Sequence, residues 1–304
     1  KKPIFALSVN LFKSHAKNFS FQDLGIFLLP AFTIYALFVL APVFLSFRNS
    51  FYYWDSPLSE ARFCALQNFR LLFRDPVFWS ALRHNFFLLF GSLLFQLPLA
   101  LGLALLLNYP TWGRGFLRTA FFTPMIIPSS ATAVLWQYIY EPQSGLLSAL
   151  IRIFRPDFAY AWLSSPGSSL FWIFISISWQ YIGFHTVLFM AGLSSIPEEL
   201  YEAARLDGAS EWQICRRIVL PCIRPTLGVS ATLSIIGSLK YFDLVYLMGG
   251  GLPDSSREVL ATYIYRLAFD ENQGRYGYGP SAAVLLFILA LIIVIPLQAR
   301  KNQV

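Results

Sequence analysis

A chain of 304 residues that is 56% hydrophobic and 13% charged carries too few charges to wet the surface of a soluble globule, in which roughly 25% of residues are charged. Its net charge of +7 is spread along the chain, mostly outside the apolar runs. That pattern reads as membrane topology and argues against a nucleic-acid-binding protein.

A helix needs about 20 mostly apolar residues to cross the hydrocarbon core, and six stretches come near that length. The first span is expected at Leu24 to Phe47, with no charge inside it. It is longer than a signal-peptide core and no small-residue cleavage site follows it, so it reads as a retained span preceded by a segment at 1–23. Between Asn49 and Asn85, Leu66, Phe69, Leu72 and Phe73 recur at helical spacing and predict a surface helix. The second span is expected at Phe86 to Leu107. The third, Phe116 to Tyr138, is interrupted by Pro124 and Pro128. The fourth, Leu170 to Leu193, contains Gln180, Tyr181 and His185. The fifth, Leu227 to Met248, contains Lys240 and Asp243 and stops where Gly249, Gly250, Gly251 and Pro253 disfavour a helix. The sixth covers Ala282 to Leu297. The fold class is therefore an all-α membrane protein with six transmembrane helices, one transmembrane domain over 24–304.

Six spans put both termini on one side. Lys and Arg number twelve on that side and nine on the other, so the positive-inside rule places both termini, and Ser194 to Pro225, in the cytoplasm.

The most polar internal segment is Ser194 to Pro225. Pro197 can open a helix in which Glu198 and Glu199 sit at the positive end. Gly208 can end it through a left-handed backbone, and Ser210 can cap a second helix carrying Trp212, Ile214, Ile218 and Val219. Pro221 and Pro225 mark the return to the membrane. Taken by themselves, these residues fit either a helix–bend–helix device or an ordinary polar connection.

Within the spans, Lys240 and Asp243 lie three apart and are expected on one helix face. Either they sit near the outer end and reach water, or they border a permeation cavity. Ser234, Gly237, Ser238 and Tyr241 form one polar stripe, which serves either helix packing or a pathway. Gln180 and Tyr181 can offer hydrogen bonds or a stacking face to a passing solute, and His185 reads equally as a satisfied buried histidine. Cys64, Cys215 and Cys222 form no CxxC pair and read as free thiols, and no metal cluster or catalytic constellation stands out. The sequence contains no G-x-x-x-x-G-K-[ST] run, so ATP chemistry is not expected on this chain.

The segment IPEELYEAARLDGASEWQICRRIVLPCIRP resembles the EAA signature of binding-protein-dependent ABC importer permeases. It does so through Glu202-Ala203-Ala204, Asp207-Gly208-Ala209 and Leu220-Pro221. The runs PAFTIYALFVLAPVFLSFRNSFYYWD, LQNFRLLFRDPVFWSALRHNF and YFDLVYLMGGGLPDSSREVLATYIYRLAF resemble the sugar-permease branch, in which Leu252 here interrupts a Gly-Gly-Pro run. The likeness extends from Leu24 to the C-terminus and is nearest to the larger membrane subunit of maltose-type importers, without that subunit's large periplasmic domain. The resemblance implies a type I ABC importer fold with coupling helices over 194–225, and a role for Glu202, Ala203, Ala204, Asp207, Gly208 and Ala209 in docking an ATPase. It also implies a substrate pathway along the fifth span. The implied partners are a second permease subunit, two ATP-binding subunits that hold ATP and Mg, and an extracytoplasmic solute-binding protein. The implied location is a bacterial cytoplasmic (inner) membrane. Sugars are the first cargo expectation, and glycerol phosphate or an acidic oligosaccharide the second. A stand-alone secondary carrier is the rival from another class.

Overall fold

The computed structural model describes residues 21–54, 59–108, 113–165, 167–251, 254–269 and 277–301. Most of the segment expected ahead of the first span, residues 1–20, lies outside them, as do Leu252 and Pro253.

The first span is continuous helix, α1 (Phe21–Tyr35) and α2 (Ala41–Asn49), joined by a π-helical turn at Ala36–Leu40. Its stretch Leu28–Asn49 is apolar enough to span a membrane and none of it is buried inside the chain. Phe38 is 76% exposed, so this helix meets its apolar surroundings outside the chain. A short hairpin follows, β1 (Tyr52–Tyr53) paired antiparallel with β2 (Arg62–Phe63). The expected surface helix is α3 (Gln67–Arg74), in which only Leu72 of the four marker residues is buried while Leu66 and Phe73 stay exposed.

The second span begins ten residues earlier than expected. α4 (Pro76–Gly91) starts where Asp75 accepts a hydrogen bond from the Val77 N–H and Pro76 occupies the first turn. It runs through a π-helical turn, Ser92–Gln96, into α5 (Leu97–Asn108), a 33-residue helix. The third span is broken. α6 (Arg114–Ile126) and α7 (Ser129–Ile139) meet at 104°. Pro128 removes one amide donor and keeps Ile127 extended at ψ 129°. α8 (Leu146–Arg152) follows, and α9 (Ser169–Leu193) is the fourth span.

The polar segment folds into α10 (Glu198–Leu206), α11 (Glu211–Ile214), a π-helical turn at Cys215–Val219 and α12 (Leu220–Cys222). A 69° bend separates this segment from α13 (Arg224–Lys240), where the fifth span begins. The expected single span to Met248 is corrected here: α13 stops at Lys240, Tyr241 and Phe242 are non-helical, and α14 (Asp243–Met248) is a separate turn and a half. Gly250 and Gly251, with φ of 73° and 69°, close α14 as expected. α15 (Leu260–Phe269) precedes the sixth span, α16 (Tyr278–Lys301). Among the described residues, four helices are long and apolar enough to span a membrane outright, and six if each bent pair counts as one.

Among the described residues, four apolar clusters tie these elements together. Beside the polar segment, α5, α9 and α10–α12 share Ala104, Leu107, Phe189, Leu193, Ile214 and Ile223. At the other end of α9, Tyr140, Trp162, Ile173, Ile177 and Val259 pack with α14. Leu72, Phe78, Tyr263 and Ala282 join α3, α4, α15 and α16, and Leu89, Ile235 and Leu239 join α4, α13 and α16.

Polar groups fix the joints of this bundle. The Asn68 amide donates to the Ser50 and Tyr52 carbonyls at 2.9 Å each, holding the exit of the first span against α3. The Tyr263 hydroxyl donates to Asp75 at 2.6 Å, and Arg266 grips buried Glu258 through Nε–Oε1 at 2.8 Å and Nη2–Oε2 at 3.1 Å. Breaking one side of such a pair leaves an uncompensated buried charge, at a cost of about 3–5 kcal/mol. Arg266→Met is therefore expected to lower the thermal midpoint in detergent sharply, while the Glu258→Gln, Arg266→Met double variant recovers much of the loss.

Candidate functional site

Two sites stand at opposite ends of α13. The first is the helix–bend–helix segment. Pro197 flanks α10 with an extended backbone, and Glu198 and Glu199 occupy the first turn. At the other end Gly208 takes φ 76°. The Gly208 N–H donates to the Arg205 carbonyl at 3.0 Å and the Ala209 N–H to the Ala204 carbonyl at 2.9 Å. This is a Schellman closure, which requires a residue tolerant of the left-handed region at Gly208. Ser210 then caps α11 as expected: its hydroxyl accepts from the Gln213 N–H, and the Gln213 side chain accepts from the Ser210 N–H. The bend is braced by an exposed Arg205–Glu211 ion pair at 3.3 Å, worth little by itself in water.

The six residues expected to meet an ATPase divide into two groups. Glu202, Ala203, Asp207 and Gly208 are exposed. Ala204 is buried and Ala209 half-buried, both packed on the chain's own apolar cluster. Small size at 204 and 209 therefore lets α10 approach the body of the bundle, while Ala203 and Gly208 are the open positions. Two apolar residues that the sequence reading did not single out for this surface are bare: Leu206 is 89% and Trp212 70% exposed. Leu200, on the same segment, is also exposed. Behind this surface, a cavity of about 480 Å³ is lined by Asn108, Glu198, Tyr201, Arg205 and Cys215, among others. Burial pushes the Tyr201 hydroxyl above its usual pKa, so it stays neutral.

The second site is a cavity of about 350 Å³ at the α13–α14 break, within the size range of ligand pockets. Ser234, Gly237, Lys240 and Tyr241 line it from α13 and its end, Asp243 and Leu244 from α14. Tyr181, Phe184 and His185 come from α9, and Met125 and Ser129 from the broken third span. Six of the eight pathway residues expected from sequence thus converge. Lys240 and Asp243 do so across a helix break rather than along one helix face, which corrects the i, i+3 expectation. The Tyr181 and Tyr241 rings stand 6.1 Å apart. The Ser234 hydroxyl is buried and has no hydrogen-bond partner among the described residues.

Two expectations do not hold for this cavity. Ser238 is fully buried, bonded to the Ser234 carbonyl and to the Ser92 hydroxyl at 3.4 Å, so it belongs to the α4–α13 contact. Gln180 donates to the Ile127 carbonyl at 3.0 Å. That carbonyl is freed by the Pro128 break, so Gln180 braces the broken span. His185 keeps both of its readings: it lines the cavity and its Nδ1 pairs with the Ser230 hydroxyl at 2.8 Å. Met125 and Ser129 were not singled out from sequence, although the Pro124–Pro128 interruption beside them was the signal.

Comparison with known proteins agrees with this architecture. Residues 96–301 match the family described as binding-protein-dependent transport system inner membrane component. A probable ABC transporter permease protein of Pyrococcus horikoshii is 34% identical over 273 residues, 89% of this chain and 92% of that protein. The trehalose/maltose transport system permease protein MalF of Thermococcus litoralis is 34% identical over 269 residues, covering 88% and 90%. Among solved structures, a bacterial ABC transporter involved in the import of the acidic polysaccharide alginate superposes with a TM-score of 0.80 at 26% identity, over 97% of this chain and 99% of that one. With its coupling-type bend and its broken fifth span on one frame, the chain belongs to the binding-protein-dependent inner-membrane permeases of ABC importers.

Proposed function

We propose that this permease subunit imports a sugar or short oligosaccharide, and that the cavity at the α13–α14 break is its passage. The observation that carries the reading is the lining itself: two tyrosine rings, a serine hydroxyl with no partner among the described residues, and a lysine and an aspartate at one opening. Rings stack on the apolar faces of a pyranose, and buried hydroxyls hold orientation through hydrogen bonds. The trehalose/maltose name of the Thermococcus relative supports the same cargo class.

The assembly is a second permease, two ATP-binding subunits and an extracytoplasmic binding protein. ATP and Mg belong to the ATP-binding subunits, and this chain hydrolyses nothing. Both termini and the α10–α12 segment face the cytoplasm. Glu202, Ala203, Asp207 and Gly208, with Leu206 and Trp212, form the face that the ATPase grips. Movement of that face is transmitted through α12 into α13, which tilts the cavity from one side of the membrane to the other. A stand-alone carrier has no use for such a face.

Lys240 favours a second cargo reading, an acidic saccharide. It lines the cavity, and among the described residues no carboxylate lies within ion-pair distance of it. The structurally similar transporter involved in the import of the acidic polysaccharide alginate supports this reading. The test is uptake into proteoliposomes of the assembled transporter, with neutral maltose and an alginate oligomer as probes. If the cargo is neutral, Lys240→Gln leaves maltose uptake within about threefold. If it is acidic, loss of the charge-assisted contact lowers alginate uptake by about tenfold or more. Failure of the wild type to move either probe, with its ATPase and binding proteins bound, would overturn the saccharide reading.

A further inference from the structure

Asn85 sits on α4, outside the cavity, and is completely buried. Its amide nitrogen donates to the Ser238 carbonyl at 2.9 Å and reaches the Leu239 carbonyl at 3.4 Å. Its oxygen accepts from the Leu260 N–H at 2.7 Å. In an unbroken helix those two carbonyls would receive the N–H groups of Phe242 and Asp243. Asn85 takes their place, so the chain can leave the helix after Lys240 without stranding buried acceptors.

The same amide anchors the return segment. Leu260 begins α15, and the residues before it are pinned to α4 and to the outer loop. His84 Nδ1 donates to the Glu258 carbonyl at 2.7 Å. Arg257 donates to the Leu163 carbonyl at 2.6 Å and the Gly249 carbonyl at 2.9 Å. One side chain therefore couples the end of α13, where Lys240 and Tyr241 face the cavity, to the strap that follows α14.

We infer that Asn85 is the positioning residue of the transport cavity: it holds the α13–α14 break in place and so fixes Lys240, Tyr241 and Asp243 around the opening. This rests on the reading of that cavity as the passage. Asn85 itself touches no substrate.

The test uses the assembled transporter in liposomes, with Cys64, Cys215 and Cys222 replaced by serine and Ser129→Cys added as a reporter inside the cavity. The readout is the rate of thiol modification by 2-sulfonatoethyl methanethiosulfonate. Asn85→Leu keeps the branched arrangement of side-chain heavy atoms and removes all three hydrogen bonds. Asn85→Asp keeps the acceptor for Leu260 and alters the donor side. The expected result is a change of at least about fivefold in labelling rate for Asn85→Leu and an intermediate change for Asn85→Asp, with the ATPase copurifying in both. Unchanged labelling in Asn85→Leu would overturn the proposal. So would loss of ATPase association in both variants, which would make Asn85 a folding residue only. A Ser129→Cys reporter that never labels, with Asn85 intact, would overturn the reading of the cavity as the passage and this inference together, and is told apart because it needs no change at Asn85.

Discussion

Gly208→Val is expected to abolish ATP-driven uptake while the chain still reaches the membrane at normal levels, and Gly208→Asn is expected to retain a large part of it. The physical contrast is specific. Gly208 has φ 76°, yet a Cβ placed there meets nothing within 4 Å in this chain. The chain itself therefore has room for a side chain but not for the wrong backbone preference. A left-handed conformation costs an ordinary L-residue about 1–2 kcal/mol, more at a β-branched one, whereas Asn visits it readily. A strain of that size shifts the bent population by a factor of about 5–30. The Schellman closure that sets the angle between α10 and α11 would open, and Leu206 and Trp212 would no longer present one surface. The measurement is ATPase copurification together with uptake in the same preparation. If Val and Asn fail alike, the empty space above Gly208 is occupied by the partner, and bulk rather than backbone is what the site excludes. If both transport normally, the bend plays no part in coupling.

Gly183→Ala should damage the other end of the machine as severely. An ideal Cβ at Gly183 lies 1.9 Å from the Phe121 carbonyl oxygen and 2.6 Å from its carbon. Those are backbone atoms, so no rotamer change relieves the clash, and α6 and α9 must separate by more than an ångström. Overpacking of this kind costs about 1–3 kcal/mol or more. It also displaces the two walls of the cavity, since α9 carries Tyr181, Phe184 and His185 while Met125 and Ser129 flank the α6–α7 break. The variant is expected to show a lowered thermal midpoint and uptake near background. Two comparisons sharpen the result. At Gly192 the nearest atoms belong to the Thr226 side chain, with Oγ1 at 2.6 Å, so Gly192→Ala should be milder because that side chain can rotate. At Gly102 nothing lies within 4 Å, and Gly102→Ala should be neutral or slightly stabilising in the isolated chain, because Ala is the better helix former by about 1 kcal/mol. Equal midpoints for Gly183→Ala and Gly102→Ala would contradict the backbone contact.

Much of the molecule was legible before any coordinates. The candidate spans followed from apolar run length against bilayer thickness, a comparison that needs no tertiary information, and the described helices supply four outright or six with each bent pair taken as one. The α10–bend–α11 device was legible down to Gly208 and Ser210. Capping and glycine closure are local: the groups that satisfy each other lie within a few residues along the chain. The three glycines after Met248 ended α14 for the same reason.

The break of the fifth span after Lys240 was not legible. Nothing in Gly237-Ser238-Leu239-Lys240-Tyr241-Phe242 forbids a helix, and the sequence reading continued it to Met248. The decision comes from Asn85, 153 residues away from Ser238, which accepts the task of satisfying carbonyls that a local pattern assigns to the helix. The assignments of Ser238 to packing and Gln180 to the broken third span are of the same kind. A hydroxyl or amide in a span announces that it needs a partner, but which face the partner occupies depends on how neighbouring helices cross. The sequence by itself located the apolar stretches long enough to cross a membrane and the glycine bend between α10 and α11. Only the packed structure decided which polar side chains were consumed by holding the helices and which, such as Ser234, Tyr181 and Lys240, were left to line the opening. Hydrogen-bond satisfaction inside an apolar medium is a property of the whole bundle.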